Sequence, residues 1–378
     1  DIASGRYFYR NPGGDMTGDW ERIDFGKNVD GMVAVSIDDD DKADVIAQAL
    51  PDVYWLEATD KSATTWTAKV VAQLPKTGHT NGQGYGLADV FDGGKPEILM
   101  SAEGGTYAIA IPENPETGEW KTYHLLESKS NEGFDADDMD GDGDLDIVAG
   151  NSSGDDGEHA NLLSWYENPG KVAENWKAHK IGLTVNAIDR VVVEDLNGDG
   201  KMDVGVAEEQ WPPKGPSAHL FWFEQKSDSW ERHTVVQQWS LHNLDIADID
   251  HDGDMDLATC EHKGEDLKMQ IWENDGAGNF TERLIDKGKE SHLGTRLCDL
   301  DMDGDLDIVS IAWDNYQYVH LWRNDNETFI EIDYNFKAVP HYKIETDNAT
   351  YFLEKTSGGL SSMFDKDRND WIDFTKTY

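Results

Sequence analysis

Apolar residues in this chain come in short runs. Segments such as Asp146-Ile-Val-Ala-Gly and Asp307-Ile-Val-Ser-Ile are bounded by Asp, Asn and Gly, as short β-strands are. Other segments alternate apolar with polar positions, the period of a half-buried strand. Each alternating segment opens on an aromatic residue: Trp20, Trp66, Trp120, Trp176, Trp230, Phe280 and Phe329. A second marker precedes each of them. It is a Glu-Asn or Arg-Asn turn, as in Tyr9-Arg10-Asn11-Pro12, Pro112-Glu113-Asn114-Pro115, Tyr166-Glu167-Asn168-Pro169, Trp272-Glu273-Asn274 and Trp322-Arg323-Asn324. Looser copies stand at Trp55-Leu56-Glu57 and Phe223-Glu224-Gln225. Each marker occurs seven times, in the same order.

A polar loop completes the repeat. The pattern Asp-x-Asp-x-Asp-Gly-x-x-Asp stands at Asp138/Asp140/Asp142/Asp146 and returns at Asp195/Asn197/Asp199/Asp203, Asp248/Asp250/Asp252/Asp256 and Asp299/Asp301/Asp303/Asp307. The copies begin at 138, 195, 248 and 299, so the period is near 50 residues. The unit is then inner strand, acidic loop, second strand, third strand with its Glu-Asn turn, and an outer strand led by an aromatic. Four short strands in such a period make a β-propeller blade. The predicted fold is all-β, a seven-bladed propeller over 1–335. Its blades fall near 1–28, 29–80, 81–130, 131–184, 185–238, 239–289 and 290–335. Asp1-Ile-Ala-Ser-Gly matches Asp146-Ile-Val-Ala-Gly, so the chain begins inside the first blade and reads as a processed or trimmed form. The extension 336–378 repeats the acidic spacing at Asp365, Asp367, Asn369 and Asp373. It reads either as a closing strand for the first blade or, preferred, as the start of a further β domain.

The loops carry the first chemistry. Alternate carboxylates on a tight turn make an all-oxygen cage that suits Ca²⁺, and the Gly permits the bend. An EF-hand would need a bidentate Glu at position 12, where this chain has Ala149, Val206, Thr259 and Ser310. Four calcium sites are therefore expected. A weaker fifth is expected at Asp38, Asp40 and Asp44, where Asp41 stands in place of Gly. The third copy, Asp89/Phe91/Gly93/Glu97, has too few oxygens.

Composition narrows the function. The 378 residues carry a net charge of -44, with 76 acidic against 32 basic side chains. That charge argues against nucleic acid. Fourteen Trp and 38% hydrophobic residues argue for a packed protein. No apolar run reaches the length of a membrane span. Cys260 and Cys298 could pair or stay free. Weak calcium loops work best where calcium is abundant, which points to an extracellular or periplasmic protein.

These loops, strands and turns resemble the FG-GAP/VCBS repeat superfamily of calcium-binding seven-bladed propellers over about residues 1–335. The resemblance implies a secreted, carbohydrate-associated propeller, similar to lectin-like modules and propeller-fold polysaccharide lyases. A fold alone does not fix which of these it is.

Propeller ligands usually sit at the central funnel. Counting back from each loop, residues two and four before it are almost wholly apolar, and the other parity is expected to face the channel. That parity holds Asp135, Asp137, Arg190, Glu194, Asn243, Asp245 and Arg296. The funnel mouth adds Glu208, Trp211, Glu261, His262, Lys263 and Trp313. Rings beside carboxylates and amides suit a sugar. Arg190 and Arg296 either pair with Asp135, Asp137, Glu194 or Asp245, the preferred reading, or serve with Lys263 to bind a carboxylate, which points to an anionic polysaccharide. His242 and His292 beside Arg296 are the proton-transfer candidates for β-elimination on a uronic acid. The expected function is acting on or binding an acidic polysaccharide. Its alternatives are a non-catalytic carbohydrate-binding module and an integrin-type adhesion head, each as a monomer or part of a multidomain chain. The periodic outer-strand aromatics read as core rather than as sugar platforms.

Overall fold

The structure is a computed structural model. It describes residues 1–14, 16–78, 81–91, 93–127, 133–151, 161–171, 175–210, 215–262, 264–289, 293–312, 319–324, 329–336, 339–345, 349–354 and 360–365. The chain forms two compact units, Asp1–Trp322 and Arg323–Tyr378.

The first unit is a seven-bladed β-propeller of antiparallel sheets. The first blade has β1 (Ile2–Ser4), β2 (Tyr7–Arg10) and β3 (Glu21–Asp24). The second has β4 (Asp30–Ala34), β5 (Asp44–Ala49), β6 (Asp52–Ala58) and β7 (Trp66–Gln73). The third has β8 (Tyr85–Ala88), β9 (Glu97–Ala102), β10 (Gly105–Ala110) and β11 (Lys121–Glu127). The fourth has β12 (Phe134–Asp137), β13 (Asp146–Asn151), β14 (Leu162–Glu167) and β15 (Lys177–Leu183). The fifth has β16 (Ala187–Glu194), β17 (Asp203–Glu209), β18 (Ala218–Gln225) and β19 (Trp230–Gln238). The sixth has β20 (Leu241–Ala247), β21 (Asp256–Glu261), β22 (Met269–Asn274) and β23 (Phe280–Asp286). The seventh has β24 (Leu293–Cys298), β25 (Asp307–Ile311) and β26 (Val319–Trp322).

The second unit is one antiparallel sheet of β27 (Phe329–Phe336), β28 (Val339–Glu345), β29 (Ala349–Glu354) and β30 (Leu360–Asp365), in that order. Phe329, expected to lead the outer strand of the seventh blade, instead opens β27 and pairs with Glu345 of β28. Alternation identifies a strand but does not name its partner. Asp367, Asn369 and Asp373 lie outside the described residues.

The propeller core is a set of slabs, one at each seam between blades. Leu163, Trp165 and Ile181 of the fourth blade meet Val191, Val193, Phe221 and Phe223 of the fifth. Val192 and Trp222 of the fifth meet Leu244, Leu257 and Trp272 of the sixth. Ile2, Met16 and Trp20 of the first meet Leu300, Val309 and Leu321 of the seventh, closing the ring. Each fully buried side chain of this size contributes roughly 1.5–3 kcal/mol. Both parities of an inner strand are thus used, one facing each neighbouring blade. This corrects the expectation that alternate residues face the channel. Val192, assigned there by parity, lies in a seam.

The Glu-Asn turn ties the blades together. Asn168 Nδ2 donates to the Val90 carbonyl in the third-blade loop at 3.0 Å. Asn274 Nδ2 donates to Leu196 O in the fifth-blade loop at 2.9 Å. Asn11 Nδ2 donates to Leu300 O in the seventh-blade loop at 2.6 Å. Gln225 stands in for Asn in the fifth blade and reaches Met139 O of the fourth at 3.0 Å. Between the third and second blades the donor is Lys95 Nζ, at 2.6 Å from Ile37 O. In these five bonds the acceptor is the second residue of the preceding blade's loop. Asn274 also donates to Met255 O and accepts from Gly278 N. Its replacement by Ala strands buried partners, and stranding a buried polar group costs about 1–3 kcal/mol. Asn274→Ala is therefore expected to destabilise the chain by about 2–3 kcal/mol in a denaturant titration, with a surface Asn279→Ala close to neutral.

Candidate functional site

The loops present clusters of oxygen ligands. Asp138, Asp140 and Asp146 each offer an oxygen within 4.8 Å of the others, and Asp248, Asp250 and Asp256 do the same. The turn is made by Gly143, Gly200, Gly253 and Gly304 at φ 100°, 84°, 99° and 103°, a region that favours Gly. The first Asp gathers the loop's N–H groups: Asp138 accepts from Gly141, Asp142 and Gly143.

The closing Asp has a second duty. It is buried in every copy, at 1% exposure for Asp146 and 0% for Asp203. One oxygen of Asp146 accepts from Met139 N at 3.0 Å, the other from Asn168 N at 2.7 Å. Asp203 bonds Leu196 N and Gln225 N, and Asp256 bonds Ile249 N and Asn274 N, in the same way. Asp307 accepts from Leu300 N at 2.9 Å. Burial pushes Asp146 and Asp203 up to about 7 and Asp256 up to about 6. The closing carboxylate is thus a staple as well as a candidate ligand.

Two atoms test whether a cation fits. Asp248 Oδ1 and Asp301 Oδ1 are buried with no hydrogen-bond donor. Burial raises the Asp301 pKa, and the carboxylates of Asp303 and Asp307 add to the rise. Asp248 Oδ2 accepts from Gly253 N at 3.1 Å, so it is the second oxygen that is left without a donor, and a buried polar atom without one is costly. A hard divalent cation answers it, and an all-oxygen donor set fits calcium.

The second-blade loop differs. Asp38, Asp40 and Glu57 converge, but the Lys42 ammonium is ion-paired with Asp40 and lies 3.4 Å from Glu57 Oε1. Asp44, expected as a ligand, accepts from Ile37 N and Trp55 Nε1, both at 2.8 Å. A built-in ammonium thus stands beside this cluster. In the fifth blade Lys201 Nζ lies 3.4 Å from Asp199 Oδ2, while Asn197 accepts from Asp199 N. Asp142 and Asp252 accept from Asp144 N and Asp254 N. Asp299 accepts from Asp303 N and Gly304 N. Asp195 accepts from Asp199 N and Gly200 N.

The funnel residues are more deeply set than expected. Glu208 is fully buried; its oxygens accept from Val185 N, Asn186 N, Asn186 Nδ2, His219 N and His219 Nδ1. Arg190 is 8% exposed and bonds its neighbour, with Nη1 at 2.9 Å from Asp189 O and 3.4 Å from Asp189 Oδ2. Asn243 Nδ2 donates to Cys260 Sγ at 3.3 Å. Cys260 and Cys298 are not joined in a disulfide. Glu261 accepts from Lys268 N at 3.1 Å. His242 and His262 are each 2% exposed, their rings edge-on at 4.3 Å. Trp211, Lys263, His292 and Trp313 lie outside the described residues.

Arg296 reaches a meeting of blades. Its guanidinium lies 5.2 Å from the centre of the Tyr85 ring. The charges of Tyr85, Asp245 and Asp135 hold its pKa up. Asp135 Oδ2 accepts from Val193 N and Asp245 Oδ2 from Leu297 N, both at 2.8 Å. Each carboxylate caps an N–H on the inner edge of a neighbouring blade.

A cavity of about 620 Å³ lies between the fourth and fifth blades, away from these groups, and parity reasoning did not find it. Trp165, His179, Lys180, Lys226, Asp228 and Trp230 line it. The His179 and Trp165 rings stack at 4.0 Å and 8°. His179 Nε2 is 2.7 Å from Glu167 Oε2. Trp230, expected purely as core, both packs on the fourth–fifth slab and lines this cavity.

An FG-GAP-like repeat is matched over residues 138–206, from the fourth-blade loop into the first half of β17. A solved structure of an Agrocybe aegerita lectin, described by its recognition of non-reducing terminal N-acetylglucosamine, is similar at TM-score 0.50 and 15% identity. The likeness covers 95% of this chain and 87% of that one. The V. cholerae biofilm matrix protein Bap1 aligns at TM-score 0.35 and 14% identity, over 92% of this chain and 70% of that one. No curated protein is matched in sequence. The likeness to the lectin agrees with the propeller fold.

Two outcomes follow from this geometry. Calcium is expected to raise the unfolding temperature by linkage, and Asp248→Ala and Asp301→Ala are each expected to lower the bound calcium by one per chain in equilibrium dialysis. Asp135 is pushed up to about 6 by burial, then by Asp137 and Asp245. Its neutral form is favoured in the fold, so its stabilising contribution is present at low pH and fades as pH rises through about 6. Asp135→Asn keeps the acceptor for Val193 and removes the charge. It is expected to gain more stability at about pH 8 than at about pH 5 in denaturant titrations.

Proposed function

We propose that the chain is a calcium-stabilised propeller that binds glycans, and that the cavity between the fourth and fifth blades is its sugar site. The observation that carries this reading is the stacked Trp165–His179 pair beside Trp230 in an open cavity of about 620 Å³. Ligand pockets for small molecules fall in the range of about 300–1,000 Å³. Sugars present C–H faces to rings and hydroxyls to polar groups. Lys180, Ser227, Asp228 and Ser229 supply those polar groups at the same cavity.

The alternative of β-elimination at the funnel finds less support. His242 and Arg190 are buried, and Arg190 bonds its own neighbour. The sugar named for the lectin suggests starting from glycans that end in N-acetylhexosamine. Oxygen-ligand loops on so acidic a chain suit a calcium-rich medium outside the cytoplasm.

A glycan array in calcium, followed by calorimetry on the best ligand, tests the reading. His179→Ala and Asp228→Ala are each expected to weaken binding about tenfold, which is about 1.4 kcal/mol. Binding that ignores both substitutions, or no binding to any glycan, would overturn it.

A further inference from the structure

The propeller repeats its seams, and three of them carry a Trp at the same position. In the fourth blade Trp165 is the cross-strand neighbour of His179. The same register places Trp55 beside Lys69 in the second blade and Trp222 beside His233 in the fifth. Each pair meets the turn that leads into the last strand of the next blade. Two of these seams are closed, by different means. In the second–third seam the Lys69 ammonium lies 5.5 Å from the centre of the Trp55 ring. It donates to Pro115 O and Glu116 O of the third-blade turn, both at 2.6 Å. In the fifth–sixth seam the sixth-blade turn rests on the ring itself, since a Cβ added at Gly278 would overlap Trp222.

The fourth–fifth seam has neither closure. Its turn holds four residues between Gln225 and Trp230, against five between Asn114 and Trp120 and five between Asn274 and Phe280. Lys226 N donates to Ser229 O at 2.9 Å and draws that short turn tight. His179 stands where the second blade has Lys69, but imidazole is the shorter side chain. Its ring is also held over Trp165, with Nε2 2.7 Å from Glu167 Oε2. The cavity of about 620 Å³ therefore lies where the Lys69 ammonium sits in the second–third seam.

The closed seam describes the group that the open one lacks. Lys69 brings three donors and one charge to main-chain carbonyls beside an aromatic ring. The cations that line the cavity are each matched by a carboxylate. Lys226 is ion-paired with Glu224 and lies 3.8 Å from Glu231, and His179 is bound to Glu167. Lys180 and Asp228 are both exposed there and offset each other. The net charge of -44 then favours a cation arriving from outside. We infer that the sugar taken by this cavity carries a free amine, whose ammonium fills the place that Lys69 fills in the second–third seam. The inference rests on the glycan reading above and narrows it to amino sugars that are not acetylated. Acetylation leaves one N–H donor and no charge.

The test is calorimetry on the full chain with a glucosamine disaccharide and with its N-acetylated twin. It is run in millimolar calcium at about pH 7, where an amine is largely protonated. Salt at about 0.15 M screens general attraction to an acidic surface. The free amine is expected to bind at least about tenfold tighter than the twin. His179→Lys rebuilds the second–third arrangement, so that the chain supplies the ammonium itself. It is expected to keep its fold by circular dichroism and to weaken free-amine binding at least about tenfold. If that variant does not fold, Asp228→Asn at an exposed position decides, and it is expected to narrow the preference for the free amine. A twin that binds as tightly as the free amine would overturn the inference and leave the glycan reading standing. Free-amine binding undiminished by the deciding variant would overturn it too, because the amine would then be held elsewhere on the acidic surface. Binding of neither disaccharide also overturns it, and the glycan array then shows whether the wider reading survives.

Discussion

A propeller must close a ring of sheets that do not pair with one another, and here the closure rests on one buried carboxylate in each blade from the second to the seventh. The closing Asp of the loop holds the loop's start with one oxygen and the Glu-Asn turn with the other, as Asp146 does with Met139 N and Asn168 N. The turn's amide then reaches the loop of the preceding blade, as Asn168 does to Val90 O. The loop, the turn and the seam are therefore one hydrogen-bonded chain that passes from blade to blade. Apolar slabs supply most of the burial, but they are not directional. The amide clamps set the register in which one blade docks on the next.

This arrangement explains why the acidic loops bear on the whole ring. The carboxylates that would hold a cation are one bond removed from the atoms that hold the seam. In the second blade, Lys42 supplies a positive charge to Asp40 and Glu57, and Lys95 of the third blade bonds both Ile37 O and Asp39. The ring thus answers the same electrostatic demand in two ways, with oxygen cages in some blades and with lysines in another. The seams also differ at their ends. The outer end of the fourth–fifth seam opens into the Trp165–His179 cavity, and at the inner end of the fifth–sixth seam the carboxylates of Asp189 and Glu209 stand on either side of the His242 ring.

Much of the fold was legible because its signals are local and repeated. Loop spacing and lead aromatics such as Trp66 and Trp176 depend only on nearby residues, and the strands of the second to sixth blades stand where those signals put them, whereas Phe329 opens a strand of the second unit. The role of the Asn in the Glu-Asn turn was not legible, because its partner lies 78 residues away in both Asn168 and Asn274. The channel-facing parity failed for two reasons. An inner strand has a neighbouring blade on each side, so Val191 and Val192 are both buried. The bulges at Asp189 and His242 then shift the count, and nothing in the sequence marks a bulge without Gly. The cavity at the fourth–fifth seam was missed because it is made by two blades, from residues on β14 and β15 and on the turn that leads into β19.

The most direct measurement is a crystal structure of the full chain grown with calcium and with the glycan that binds most tightly in solution. The account predicts a sugar ring seated between the Trp165–His179 stack and the 226–229 turn, with calcium in the loops of the fourth and sixth blades. A sugar seated in the central funnel, with the seam cavity empty, would contradict it.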